Sequence, residues 1–282
     1  MGSQAIRDCE FMNAIMLRAD PLDFLEDLES PIGVYLRRAV FSKKGDAGLR
    51  RNLHEEITSE QSDDGSWNQL FVHTANNLWK LALLGYGEND RSMKKGLDWL
   101  LTTQKSTYHD HPGFFYSGNR RDPSLMRETS YGEFGPGCTI FYQTAYAVHL
   151  FHVLGLDDKE EVQQTVRSYL KFWTPTWCGA WCTINVLRVL IEHPLSARTK
   201  RVQEGLKYLA EKQTRTGAWK SYPFYHTFHG ISRAKSKMAR MQIENALPSV
   251  IRRQNKDGSW GKKDRESSTF LVLDGLRNAG AL

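Results

Sequence analysis

QSDDGSWNQLFVHTANNLWKLALLG (residues 61–85) carries two signals in tandem. The first is a polar, glycine-centred turn closed by Trp67. The second is a run whose apolar residues recur at three- and four-residue intervals, the period of an amphipathic helix. His73 and Thr74 stand at its head. The Thr-headed line returns as QTAYAVHLFHVLG (143–155), CTINVLRVLIEHP (182–194), HTFHGISRAKSKM (226–238) and STFLVLDGLRNAG (268–280). The threonines Thr74, Thr144, Thr183, Thr227 and Thr269 are 70, 39, 44 and 42 residues apart. The turn returns as QTRTGAW (213–219) and QNKDGSW (254–260), with degenerate forms QKSTYHDHPGFF (104–115) and WTPTWCGAW (173–181). A helix-periodic stretch precedes each turn, as in MKKGLDWLLTT and VQEGLKYLAEK.

An internal period near forty residues marks a repeat architecture, in which each unit buries its apolar face on the next. Here the unit is helix, turn, helix. The Thr-headed lines are strongly apolar, whereas the lines before the turns are amphipathic. Inner helices packed on both sides and outer helices wet on one side would read this way. The spacing therefore predicts an all-α chain, an (α/α) toroid of the α6/α6-barrel type built from five to six helix pairs. The repeat domain spans 49–282, and residues 1–48 form an N-terminal helical segment that would complete the barrel through PIGVYLRRAVFSK. Residues 116–137 are rich in Gly, Pro and Ser and read as an inserted loop, a candidate lid carrying Glu128 and Glu133. Within the turn, Gly is expected to permit reversal and Gln to cap the preceding helix. Trp would cover the joint, and Thr would cap the helix it heads.

The bulk numbers exclude several classes. No run of 18 apolar residues reaches membrane-spanning length, and no secretory signal opens the chain. Four cysteines (Cys9, Cys138, Cys178, Cys182) are too few for a disulfide framework, and a cytoplasmic setting is expected. The net charge of +6 comes without a nucleic-acid-binding motif, so nucleic acid is not the expected partner. An apolar small molecule, with a diphosphate as one candidate headgroup, fits better, and peripheral contact with an anionic membrane would also use the charge.

Gln-x-x-Asp-Gly-Ser-Trp followed by an apolar helix resembles the QW repeat of squalene–hopene cyclases and their relatives. The resemblance covers roughly residues 45–282 and implies a toroid whose central cavity holds an isoprenoid chain. In those cyclases an Asp-x-Asp-Asp-Thr-Ala motif protonates the substrate. The matching stretches here, Ile140 to Ala145 and Leu70 to Ala75, contain no acid. A second resemblance, to the β subunits of protein prenyltransferases, rests on Pro223-Phe224-Tyr225-His226-Thr227. It implies zinc as an alternative cofactor, with His226, Cys182 and Cys178 as the ligands to test.

The residue before each repeated Thr changes: His73, Gln143, Cys182, His226, Ser268. All five are protic or polar and would form one layer at equivalent places in a toroid. Aromatic residues stand beside them, and aromatic faces stabilise cations. The expected activity is cyclisation, isomerisation or prenyl chemistry on an isoprenoid, with a non-catalytic lipid- or partner-binding toroid as the alternative. His226, Cys182, His73, Tyr142 and Tyr225 are the candidate acid, base or nucleophilic groups. Gln143, Ser268, Trp177, Trp181, Phe224, Phe228 and His229 are candidate substrate contacts. Arg233 joins them, because Arg233, Lys237 and Arg240 would share one face of a continuous fourth inner helix and clamp a diphosphate.

Overall fold

The structure is a computed structural model that describes residues 16–104, 106–108, 111–115, 136–176 and 179–282. Among the described residues there are twelve helices and one short hairpin. In chain order these are α1 (Pro21–Leu25), α2 (Pro31–Ala39), α3 (Ala47–Ser59), α4 (Phe71–Leu83), α5 (Arg91–Thr102), β1 (Ser106–Tyr108), β2 (His111–Phe114), α6 (Pro136–Val153), α7 (Glu160–Phe172), α8 (Ala180–Glu192), α9 (Lys200–Lys212), α10 (Phe224–Ser232), α11 (Lys237–Arg252) and α12 (Arg265–Asn278). The contacts divide the chain into two units, one of residues 16–44 with Leu209–Leu282, the other Gly45–Tyr208.

The Thr-headed helices α4, α6, α8, α10 and α12 and the helices before the turns differ in burial as their sequences differ. In α8 every residue from Cys182 to Ile191 is buried. In α5 only Met93, Gly96, Leu97 and Leu100 are, one stripe at helical spacing. The hairpin was not expected. It forms from the degenerate turn, with Ser106 opposite Phe114 and Tyr108 opposite His111.

The turns show what the repeated residues do. The Gln61 amide nitrogen donates to the Gly65 carbonyl (2.8 Å) and to the Ser92 carbonyl in α5 (2.9 Å). Gln104 does the same to Gly113 (3.3 Å) and to Glu161 in α7 (2.6 Å). In the other unit, Gln213 binds the carbonyls of Gly217 (3.0 Å) and Gln242 in α11 (2.7 Å). Gln254 binds those of Gly258 (3.1 Å) and Ala19, just ahead of α1 (2.8 Å). The glutamine therefore does not cap the preceding helix. It clips its own turn to the next segment. At two turns the preceding helix is held instead by tryptophan: Trp67 Nε1 donates to Ile57 O (2.8 Å) and Trp260 Nε1 to Val250 O (2.8 Å), whereas Trp219 Nε1 donates to Gln242 Oε1 in α11 (3.0 Å). At the turn that lacks Gln, the buried indole is Trp173, which meets Gly205 as Trp67 meets Gly96.

Gly217 illustrates why the turn needs glycine. Its φ is +80°, a region that L side chains rarely adopt, and a Cβ there would overlap the Asn245 backbone oxygen.

Thr is not a helix cap. Thr74 and Thr269 lie inside α4 and α12, and their hydroxyls accept the backbone N–H of Trp67 (3.0 Å) and Trp260 (2.9 Å). Thr144 accepts from the N–H of Phe115, which stands in the tryptophan's place (3.0 Å). At these three turns the hydroxyl locks the turn onto the helix that follows it.

The fourth Thr-headed line is shorter than its sequence suggests. Helix α10 stops at Ser232, and Ser236 caps α11 by accepting from the Ala239 N–H. Arg233 thus ends one helix while Lys237 and Arg240 belong to the next, exposed. The expected single-face clamp does not exist.

Thr269→Val removes the acceptor of a buried N–H and should cost about 1–3 kcal/mol. The Thr227 hydroxyl only donates to the Pro223 carbonyl within its own helix (2.8 Å), and Thr227→Val should cost less than about 1 kcal/mol. Urea unfolding of the two variants, which lie in the same unit, checks the difference; equal losses would contradict the assigned roles.

Candidate functional site

The Gly45–Tyr208 unit places polar side chains inside its most apolar helices. Tyr142, Tyr146 and His149 repeat at four and three residues and share one face of α6. Asn185, Arg188 and Glu192 share one face of α8. The two faces meet where His149 Nδ1 and Glu192 Oε2 approach to 2.6 Å, with side chains 3% and 1% exposed. From α4, the Trp79 ring lies 5.2 Å from His149 and 6.5 Å from Tyr146, and Tyr142 and Tyr146 are 6.2 Å apart. The result is an aromatic surface with one buried imidazole–carboxylate pair. Such a pair can hold a proton and pass it, while ring faces next to it favour a cation. Arg188 is 6% exposed, and its Nε is buried without an acceptor.

The other unit contains a second buried pair. Asp274 is fully buried in α12. It accepts from His229 Nε2 (2.9 Å), Tyr35 OH (2.5 Å), Asn278 Nδ2 (2.8 Å) and Arg233 (3.3 Å). Arg277 donates to the same tyrosine oxygen (2.9 Å). Burial alone would raise the Asp274 carboxyl. The hydrogen bond and charge of His229, the charge of Arg233 and the Tyr35 hydrogen bond outweigh it and hold the group well below the usual carboxylate range. Burial first, and then Asp274, push the Tyr35 phenol up. Asp274 is therefore a fixed anion joining α2, α10 and α12, and it is a poor proton donor. His229 Nδ1 is buried with no partner.

The expected site residues scatter across these surroundings. Cys182 and Gln143 are buried, and the Gln143 Oε1 has no partner. His73 is half-buried beside Asn68 (2.9 Å). Tyr142 and Trp181 are in the same unit, Tyr142 on the aromatic face. In the other unit His226, Tyr225 and Ser268 are half-buried, and burial pushes the Tyr225 phenol up, which weakens it as an acid. Phe224 lies between Trp219 and the Arg253 guanidinium. Phe228 is fully buried against Gly275, in the packing of α10 on α12. Arg233 is a partner of Asp274. Trp177, Cys178, Glu128 and Glu133 lie outside the described residues, as do Cys9 and the Cys138 side chain. Among the described residues no three of His, Cys, Asp and Glu gather as a metal site, and Cys178, one of the three ligands of the zinc alternative, lies outside them. No described helix is long and apolar enough to cross a membrane.

His149, Arg188, Glu192 and Asp274 were not among the candidates. Their signal is present all the same: each is an ionisable residue inside an otherwise apolar helical line.

No protein-family model matches the chain, and no curated protein is detectably similar to it in sequence. Solved structures do match. A variant of the type II terpene cyclase MstE from Scytonema, in complex with geranylgeranyl dihydroxybenzoate, aligns with a TM-score of 0.60 at 13% identity, covering 89% of this chain and 86% of that one. A second MstE variant, holding the product merosterolic acid A, gives 0.59 at 11% identity, over 89% and 87%. A protein from Actinoplanes gives 0.55 at 18% identity, over 88% and 89%. At these identities the likeness establishes the fold: the chain has the all-α toroid fold of these neighbours.

Removing the Asp274 charge should reveal its role through pH. Its folded pKa lies below the unfolded value near ~3.9, so its contribution is complete above about pH 4 and lost as pH falls further. Asp274→Asn should cost about 3–5 kcal/mol at pH 7, because four donors lose a charged acceptor. The gap from wild type should narrow below pH 4, as read by urea unfolding at pH 7 and pH 3.

Proposed function

We propose that this chain is a terpene cyclase-like enzyme that rearranges an isoprenoid substrate held against the aromatic surface that α4 and α6 build beside α8. The reading is supported by the likeness of about nine-tenths of the chain to terpene cyclase structures solved with a geranylgeranyl substrate and its product. One local observation carries it further: Trp79 lies against the His149 ring of a buried imidazole–carboxylate pair, and Tyr146 and Tyr142 extend that aromatic surface along α6. Ring faces stabilise the cationic centres that form along an isoprenoid chain. Cyclisation of this kind takes up one proton and releases one, so substrate and product have the same mass. His149 and Glu192 are the groups proposed to move those protons, in place of the acid motif missing before Thr74 and Thr144.

The test is incubation of the purified chain with geranylgeraniol, geranylgeranyl diphosphate and a geranylgeranylated dihydroxybenzoate, followed by mass spectrometry and NMR. The expected product is an isomer with fewer double bonds and one or more rings. His149→Ala should lower its formation at least about 100-fold, within the range expected for loss of a general acid–base group. Unchanged recovery of every substrate by the wild-type protein would end the reading.

A further inference from the structure

We propose that Arg188 is the receptor for an anionic headgroup, a carboxylate or phosphoryl group at the end of the apolar substrate. The inference rests on the proposed function for the tail of that substrate but not for its headgroup. Arg188 lies in the unbroken buried run Cys182–Ile191 of α8 and is 6% exposed. Its Nε is sealed from solvent with no hydrogen-bond acceptor, and among the described residues no carboxylate forms an ion pair with the guanidinium. The acid one turn further along the same face, Glu192, turns its Oε2 to His149 at 2.6 Å instead. Buried arginines are ordinarily paired, because an uncompensated charge in a low-dielectric interior is costly. Elsewhere in the chain that rule is obeyed: the buried Arg37 donates to the carbonyls of Leu25 and Leu28. Arg188, unlike Arg37, has no partner among the described residues. Its planar fork matches two oxygens of a carboxylate or a phosphoryl group. It also shares the face of α8 that meets the aromatic surface at His149, so a headgroup there leaves the tail beside Trp79 and Tyr146.

Titration calorimetry with inorganic pyrophosphate, benzoate, geranylgeranyl diphosphate, geranylgeranoic acid and geranylgeraniol tests this on the full chain. In the wild-type protein, the diphosphate or the acid should bind at least about tenfold tighter than the alcohol, and the winning member of the pair identifies the headgroup. Arg188→Met should weaken that ligand at least about 30-fold, the lower end for breaking a buried charged pair, while geranylgeraniol binds unchanged. Without ligand, Arg188→Met should melt no lower than wild type, since it removes a charge with no protein partner. Arg188→Lys should keep part of the affinity, because it retains the charge and loses the fork. Equal binding of all three tailed ligands by the wild-type protein overturns the proposal, even if a variant fails to fold. So does undiminished anion binding by Arg188→Met. Should no isoprenoid be converted while an anionic ligand still binds through Arg188, the proposed function fails and this inference stands.

Discussion

A single side-chain amide sets the repeat. In four of the turns one glutamine nitrogen donates twice, to the carbonyl of its own turn glycine and to a carbonyl of the next segment. An amide nitrogen has two hydrogens, and this geometry uses both. It also explains the glycine, since the second bond draws the turn so close to its neighbour that a Cβ at Gly65, Gly217 or Gly258 would strike backbone. Helices of this length would be marginal alone, and the clip fixes how each pair meets the next. The last turn makes the point most clearly. Gln254 takes the Ala19 carbonyl, and Gly258 rests on Asp20 and Pro21. The N-terminal segment thus serves the final pair as the next helix serves the others.

Much of this was legible before any coordinates. The turn, the forty-residue period and the contrast between all-apolar and amphipathic lines all lie in the sequence, and each follows from burial. The roles inside the turn were not legible, for a geometric reason. A hydroxyl near a helix start caps its own helix or receives another donor depending on a shift of two or three residues, and the helix boundary decides which. Thr74 is four residues into α4, too deep to cap and well placed to take the Trp67 N–H. Arg233 shows the same sensitivity. Its spacing to Lys237 and Arg240 fits one helix face only if the helix continues, and the Ser236 cap breaks it.

The chemistry was legible at a different depth. The changing residue before each Thr invites attention, because a constant neighbour sets it off. Yet the buried ionisable residues sit further along the same lines, six to ten residues past the changing position: His149, Arg188, Glu192 and Asp274. Sequence alone shows that each interrupts an apolar run. It does not show which pairs meet, since His149 and Glu192 are 43 residues apart and His229 and Asp274 are 45. Contact between helices decides that, and repeat periodicity brings equivalent depths together only after the pairs have packed.

The two units then differ in how they treat a buried charge. Asp274 is saturated: four donors converge on it from α2, α10 and α12, and nothing about it asks for a ligand. A charge compensated so completely contributes to architecture, because any change of partner would leave several donors stranded. Arg188 is the opposite case, a cation carried into an apolar helix run with no anion among the described residues to meet it. An unpaired charge is unfavourable in the empty protein and becomes favourable only when an anion arrives. The energy withheld in folding is thereby available to binding, which is the distribution expected of a group that recognises a substrate. Between the two stands His149, paired with Glu192 at 2.6 Å and flanked by the Trp79 ring, whose face favours positive charge.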